Sequence, residues 1–189
     1  MKKFFWGILG AALAANLCSA QELMLNCDSV NQVRSTFHKD NSRITFERGK
    51  GRTGNAFRIT HPADPKNPKA KDIGFHAHGH YLIKLESISG TIRSRVYLKG
   101  KGKGTFGMLV FDRKRHLFYP PGFRKPFQLD SPDQWTLLEF TYTPEAGSDY
   151  VARAAFILPY ISLMPGSDFL LDDWETKIPA ENKNIVIEE

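Results

Sequence analysis

The segment Thr91-Ile92-Arg93-Ser94-Arg95-Val96-Tyr97-Leu98-Lys99 decides the fold class. Its residues alternate in polarity with a period of two, which is the pattern of a β-strand with one buried face. The even-numbered positions carry the apolar side chains, while the odd-numbered positions carry two arginines, a tyrosine and a lysine. The segment therefore predicts a strand of an antiparallel sheet whose odd-numbered residues face solvent.

Similar alternating runs lie on both sides of this segment, separated by clusters of Gly, Pro, Asn and Asp. They cover residues 43–47, 56–60, 81–85, 105–111, 135–143, 151–158 and 168–178. Between the runs, residues 62–71 predict an exposed loop and residues 99–104 a flexible basic turn. No stretch has a convincing helical period. This succession of short strands predicts an all-β fold, an antiparallel two-sheet β-sandwich of the jelly-roll kind.

The first twenty residues have the composition of a signal peptide. Lys2 and Lys3 precede an apolar run over residues 4–15, which is too short to cross a bilayer comfortably. Small residues at 18–20 suit a signal peptidase, so we expect cleavage after Ala20 and export to the periplasm, the cell surface or the medium. An N-terminal membrane anchor and lipid attachment at Cys18 are the alternatives. The predicted domain then covers residues 21–180, followed by a charged tail over 181–189.

Three regions carry a resemblance to a known family. Residues 51–59 form an early small-residue turn and strand, and 88–100 form a long strand ending in Lys-Gly, followed by a strand over 135–142 that opens with Trp. Residues 168–175 form an apolar-Asp-Asp-apolar strand. In this order they resemble the carbohydrate-binding modules attached to bacterial glycanases, the CenC-like type of the galactose-binding-like jelly-roll group. The resemblance implies a two-sheet jelly roll that binds sugars and holds a structural calcium.

The resemblance also implies where calcium binds. Members of the family use an acidic residue of the closing Asp-Asp pair together with one near the N-terminus. In a regular strand Asp172 shares a face with Trp174, so Asp172 is the predicted inward ligand and Asp28 its partner. The alternative is that Asp172 and Asp173 only form hydrogen bonds with a neighbouring turn.

The outward face of the deciding strand is the predicted glycan-binding surface. Arginine forks bind carboxylates and sugar hydroxyls, and a tyrosine ring offers a flat surface on which a pyranose can stack. The expected contacts, drawn from this strand, its sheet neighbours and one aromatic loop, are Arg93, Arg95, Tyr97, Trp135, Glu139, Arg153 and Tyr119. The alternative is a solvated sheet face with cross-strand charge pairs.

Three histidines at alternate positions form a second candidate site. In an extended strand His76, His78 and His80 project from one face, about 6.5 to 7 Å apart per step. Neutral imidazoles are ligands for zinc, copper or nickel, so a transition-metal site is one interpretation. Polar residues that line a groove or face solvent are the other.

The charge of the chain limits its partners. The formal net charge is +6, and removal of Lys2 and Lys3 from the 26 basic residues leaves 24 against 20 acidic residues. This mild basicity favours a uronate-bearing or sulfated glycan as the partner. In an exported chain it argues against nucleic acid. Without the leader, no stable membrane insertion is expected. Cys27 is then the remaining cysteine, and we expect it to be buried as a small apolar residue.

No catalytic motif of adequate specificity is present in the sequence. We therefore predict that the chain is not an enzyme but an exported carbohydrate-binding domain that recognises a polysaccharide, and the charge of the chain favours an acidic one. The alternative is a structural or adhesive protein of the cell envelope that uses the jelly roll to bind another protein.

Overall fold

A computed structural model describes residues 21–30, 32–35, 43–77, 82–84, 90–145 and 147–179. These residues form eleven strands and one short helix. The elements are β1 (Gln21–Leu25), β2 (Val33–Ser35), β3 (Ile44–Glu47), β4 (Ala56–His61), β5 (Ile73–Ala77), β6 (Ile83–Lys84), β7 (Ile92–Phe111), β8 (Leu117–Phe118), β9 (Arg124–Tyr142), α1 (Asp149–Arg153), β10 (Phe156–Leu163) and β11 (Ser167–Ile178). The predicted leader and tail, 1–20 and 181–189, lie outside the described residues.

The long strands β7 and β9 connect the two layers of the molecule. The first half of β7 pairs with the second half of β9 and with β11, which in turn pairs with β1 and β4. The second half of β7 pairs with the first half of β9 and with β10, which in turn pairs with β5 and β6. Every pairing is antiparallel. The all-β antiparallel fold is confirmed, as one hydrogen-bonded sheet that folds into two layers.

The core lies between these two layers. Phe106 of layer two packs against Trp174 and Phe140 of layer one, with ring centroids 6.0 and 6.3 Å apart. Near the other end of the core, Phe127 meets Phe169 at 5.9 Å. The even-numbered residues of β7 from Ile92 to Leu98 are fully buried or nearly so, which confirms the predicted orientation of that strand. Cys27 is buried as predicted, and burial raises the pKa of its thiol well above the usual range.

The predicted basic turn at 99–104 is wrong, because these residues lie within β7. Lysine and glycine alternate here, which imitates the composition of a flexible loop. Gly100 has a φ of 146°, and a Cβ at this position would overlap the carbonyl oxygen of Asp168. Glycine is therefore required for close approach to β11 in the middle of the strand rather than for a chain reversal.

The predicted strand over 151–158 is also partly wrong. The chain forms the helix Asp149–Arg153 first and enters β10 only at Phe156. Asp149 lies in the first turn of the helix and Arg153 in the last, which are the positions that the helix dipole favours for these charges. By contrast, the predicted exposed loop at 62–71 is confirmed. Within the described ranges, no helix has the length and apolar character that crossing a membrane requires.

Candidate functional site

Face one is the outer surface of layer one, and most of the glycan contacts predicted from the sequence lie on it. It is built by the outward residues Arg93, Arg95 and Tyr97 of β7, Glu139 of β9, and Glu175 and Lys177 of β11. Arg95 donates through Nε to the carboxylate of Glu175, and the Nζ of Lys177 lies 2.6 Å from the same carboxylate. Glu175 is only 2% exposed. Burial alone would raise its pKa, but the hydrogen bonds from its neighbours outweigh burial and lower the pKa.

The ring of Tyr97 is also engaged within the protein. The guanidinium of Arg52 lies 3.6 Å from its ring centroid and forms a 2.6 Å ion pair with Asp173. A sugar that stacked on this side of Tyr97 would have to displace Arg52. Two of the predicted contacts on face one, Arg95 and Tyr97, therefore already have partners in the fold.

The remaining predicted contacts do not form one group with these residues. Trp135 lies where the β7–β9 register shifts, beyond the last regular pair, Leu98 with Thr136. Arg153 belongs to α1 rather than to a neighbouring strand of face one, so that part of the prediction is wrong. The guanidinium of Arg153 lies 4.7 Å from the ring of Phe118, and Phe118 is followed in the sequence by Tyr119. Arg153 and Tyr119 thus belong to layer two.

Face two is the outer surface of layer two, where the strand registers place a row of polar side chains. Arg34 of β2 lies opposite His76 of β5, and His76 lies opposite Tyr160 of β10. Tyr160 is opposite Gly107 of β7, which is opposite Arg124 of β9. Directly opposed residues of an antiparallel sheet share a face, so the row crosses the layer from one edge to the other. We define face two as Arg34, His76, Tyr160, Arg124 and the adjacent Tyr119.

Arg124 joins the two tyrosines of face two. Its guanidinium lies 4.4 Å from the ring centroid of Tyr119 and 5.7 Å from that of Tyr160. Tyr119 is 57% exposed, which is unusual for a ring of this size, whereas Tyr160 is 5% exposed. Gly107 contributes no side chain to the row, so nothing from β7 stands between Arg124 and Tyr160. Among the described residues, no carboxylate forms an ion pair with Arg34 or Arg124.

Burial shifts the pKa of two residues of face two, His76 and Tyr160. Burial lowers the pKa of His76, and the nearby charge of Arg34 acts in the same direction. Burial also raises the pKa of Tyr160. At neutral pH the row therefore presents an uncharged imidazole and a phenol hydroxyl between two cationic guanidinium groups. The Nδ1–H of His76 donates to the carbonyl oxygen of Ala77, so its Nε2 can accept a hydrogen bond, and the Tyr160 hydroxyl can donate or accept one. Sugar hydroxyls need this combination of donors and acceptors.

The predicted calcium ligands flank the early turn at 51–55. A β-bulge at Asp173, whose φ is 46°, shifts the register of β11. Asp172 consequently opposes Tyr97 instead of sharing the inward face of Trp174, so its predicted orientation is wrong. Its carboxylate accepts hydrogen bonds from the backbone N–H groups of Arg52 and Asp173 at 2.7 and 2.8 Å.

Asp28 lies on the other side of the same turn. Its carboxylate accepts hydrogen bonds from the side-chain amides of Asn26 and Asn55 at 2.8 and 3.3 Å. Across the part of the chain that the structure describes, no three acidic, histidine or cysteine side chains are grouped as metal ligands. These hydrogen bonds connect the turn to β11 and to the N-terminal segment, and calcium binding stays a prediction.

The histidine site also stays a prediction. His76 is described and lies on face two, half-buried, with its Nδ1 next to the carbonyl oxygen of Ala77. His78 and His80 lie outside the described residues.

The fold is a β jelly roll that several solved carbohydrate-binding modules share. No protein-family model matches the sequence, and no curated protein matches it. Solved structures with this fold include the C-terminal family 22 carbohydrate-binding module of Xyn10B from Clostridium thermocellum, at a TM-score of 0.55 and 12% identity over 86% of this chain and 95% of that one. The CBM22-1 xylan-binding domain of Xyn10C from Paenibacillus barcinonensis has a TM-score of 0.52 and 10% identity, over 85% of this chain and 96% of that one.

The fold also occurs as part of a larger chain. An arabinose-bound α-L-arabinofuranosidase, MgGH51, is similar at a TM-score of 0.54 and 12% identity, over 82% of this chain but only 26% of the enzyme. At such low identities these similarities establish the fold, and the site has to be argued from the side chains of this chain.

Proposed function

We propose that this protein is an exported, non-catalytic carbohydrate-binding domain and that face two is its glycan-binding site. The observation that carries the proposal is the row of face two: two arginines without acidic partners among the described residues, two tyrosines and a neutral histidine. The two modules with the same fold and a similar length support it, since one is a family 22 carbohydrate-binding module and the other is named as xylan-binding.

The chemistry of face two suits a sugar better than that of face one. Arg124 lies over the ring of Tyr119 and also contacts Tyr160, but Tyr119 is 57% exposed, so the part of its ring that Arg124 does not cover is open for a pyranose to stack. On face one, by contrast, Arg95 and Tyr97 would have to exchange Glu175 and Arg52 for the ligand. Giving up an existing ion pair or stacking contact reduces the net gain from binding.

We also propose that the polysaccharide is acidic. An arginine fork binds a carboxylate through two parallel hydrogen bonds, which are stronger than bonds to neutral hydroxyls. Arg34 and Arg124 have no ion-pair partner within the described ranges, and the excess of 24 basic over 20 acidic residues that remains without Lys2 and Lys3 attracts an anionic polymer.

The test compares one double variant on each face. Tyr119→Ala with Arg124→Ala should lower the affinity for a retained polysaccharide at least about tenfold, because a stacking ring and an arginine are typical major contributors to binding. Arg95→Ala with Tyr97→Ala removes the same residue types from face one and should change the affinity less than about twofold. Retention in native gels that contain xylan, mixed-linked glucan or polygalacturonate identifies the ligand, and titration calorimetry then gives the affinity.

Thermal unfolding of both variants shows whether they remain folded. The proposal fails if the face-one variant loses retention while the face-two variant keeps it, which would support the surface predicted from the sequence. It also fails if the wild type binds none of the polysaccharides, in which case a role in contacts with an envelope protein is favoured.

A further inference from the structure

A second cluster of cations lies at the hairpin loop between β7 and β8. The loop has the sequence Asp112-Arg113-Lys114-Arg115-His116. Its conformation is fixed by Asp112, whose carboxylate accepts hydrogen bonds from the backbone N–H groups of Lys114 and His116, both at 2.9 Å. The N–H of Arg115 donates to the carbonyl oxygen of Asp112 at 2.9 Å. The half-buried acidic residue thus holds the turn, while residues 113–116 around it are exposed.

The helix α1 adds a further cation to this loop. Arg153 has its guanidinium 3.6 Å from the Asp112 carboxylate and 4.7 Å from the ring of Phe118. With the exposed Arg113 and Lys114, it places three permanent cations around Asp112, which forms its ion pair with Arg153. The hydrogen bond from the backbone N–H of His116 lowers the pKa of Asp112. The Asp112 carboxylate therefore stays ionised, and its hydrogen bonds are made to the backbone of the loop. We call this group the basic loop.

The basic loop borders a shallow cleft that is open to solvent. The cleft has a volume of about 530 Å³ and is lined by Asp112, Arg113, Lys114, His116, Ala152 and Arg153. Charges of one sign that line a cleft concentrate counterions in it. A volume of this size accommodates one acidic sugar residue.

The basic loop is in line with face two along β7. Asp112 is five residues beyond Gly107, the centre of the row, which corresponds to about 17 Å in an extended strand. Phe111 and Phe156, which are opposed in the register, continue the same outer surface toward the loop. Arg115 lies over the ring of Phe156 at 5.7 Å. One extended polysaccharide can therefore contact face two and the basic loop together.

We propose that the basic loop is a separate subsite for the carboxylate or sulfate groups of an acidic polysaccharide whose adjoining residues lie on face two. This inference rests on the proposed function. An anionic membrane is a less suitable occupant, because the loop exposes no large apolar side chain that would enter a lipid surface. A glycan needs no such side chain.

The experiment removes three positive charges from the basic loop. Arg113→Ser, Lys114→Ser and Arg153→Ser are combined in one variant. The matched control combines Lys66→Ser, Lys69→Ser and Lys71→Ser in the exposed loop at 62–71, and so has the same net charge. Affinity is measured by calorimetry for two polymers that share one backbone, polygalacturonate and its fully methyl-esterified form.

We expect the basic-loop variant to lose about tenfold in affinity for polygalacturonate, since it loses three exposed ion pairs with the polymer and each contributes modestly. Its affinity for the methyl ester should change less than about twofold, and the control should change little for either polymer. If Arg153→Ser lowers the melting temperature, the double variant Arg113→Ser with Lys114→Ser replaces it.

Three results would overturn the inference. An equal loss in the basic-loop variant and the control would mean that only net charge matters, and no loss in either would mean that the loop does not contact the polymer. Binding of the wild type to vesicles of phosphatidylcholine and phosphatidylglycerol in a 3:1 ratio, lost in the basic-loop variant without any loss for polygalacturonate, would indicate a membrane. The proposed function fails separately, if Tyr119→Ala with Arg124→Ala leaves both polymers bound as in the wild type.

Discussion

The outer surfaces of the two layers contain similar residues in opposite electrostatic situations. On face one, Arg95 pairs with Glu175, and Arg52 pairs with Asp173 while it covers the ring of Tyr97. On face two, the guanidinium of Arg124 contacts aromatic rings, and no acidic partner for it is found among the described residues. The same side-chain types thus stabilise the fold on one surface and remain available to a ligand on the other.

This difference shows that the partners of an arginine, and not its exposure, distinguish a binding surface from a structural one. Arg93 and Arg95 are exposed, as the alternation in their strand predicts. The pairing of Arg95 depends on β11, about eighty residues later in the chain, so its role is decided by tertiary contacts.

The largest effect that we expect tests the link between the two faces. Gly100→Ala should destabilise the fold by about 3 to 4 kcal/mol, because the new Cβ would overlap the Asp168 carbonyl and alanine is strained at a φ of 146°. Urea unfolding monitored by circular dichroism measures the change. This result bears on the comparison of the two faces, because β7 belongs to both layers and passes close to β11 at Gly100.

The control for this variant is Gly49→Ala. Gly49 also has a positive φ, 64°, but no atom lies within 4 Å of a Cβ built there. We expect it to cost only about 1 to 2 kcal/mol, from backbone strain alone. Equal losses in the two variants would contradict the close approach of β11 to β7.

Much of layer one was predictable because its pattern is local. The alternation in residues 91–99 gave the correct inward and outward sides, and its adjoining strand over 135–142 was also recognised. The bulge at Asp173 was not predictable, since a residue with a φ of 46° in a strand depends on contacts such as that between Asp173 and Arg52. The bulge reverses the alternation from which the inward orientation of Asp172 was predicted.

Face two was not predictable from any local pattern. Arg34, His76, Tyr160 and Arg124 belong to the strands β2, β5, β10 and β9, whose order across the layer differs from their order in the sequence. Their common row is set by the pairing registers of β2, β5, β10, β7 and β9. Of this surface, the sequence signalled only the aromatic loop with Tyr119 and the histidine at 76, each for a separate reason.

A second, smaller effect tests whether the charges of face one are structural. Glu175→Gln should destabilise the fold by about 1 to 2 kcal/mol, because it removes a buried carboxylate whose partners, Arg95 and Lys177, are about half exposed and therefore partly screened. Polysaccharide binding should not change. The control, Glu139→Gln, alters an exposed carboxylate on the same face, and we expect its stability to stay within about 0.5 kcal/mol of the wild type.

The pH dependence gives an independent check on Glu175. Its pKa is lowered in the folded state, so its stabilising contribution is fully present above pH 4.5, the ordinary value, and is lost as the pH falls through the lowered pKa. The stability difference between wild type and Glu175→Gln should therefore shrink below that pH. A difference that grew on acidification would mean that Glu175 is not ionised in a pair with Arg95 and Lys177.

The smallest effect concerns calcium at the turn beside face one. Both carboxylate oxygens of Asp172 already accept backbone N–H groups, Asp173 pairs with Arg52 of the turn, and Asp28 accepts a hydrogen bond from Asn55. An ion there would have to compete with these hydrogen bonds, so we expect weak binding. Millimolar calcium should raise the melting temperature by about 1 to 2 °C, the shift for a ligand present near its dissociation constant. Asp28→Asn should abolish this shift and, because Asp28 is exposed, leave the calcium-free melting temperature nearly unchanged.

No shift in the wild type would exclude calcium at this turn, whereas a shift of about ten degrees would mean that the ion, rather than the backbone, is the main partner of Asp172.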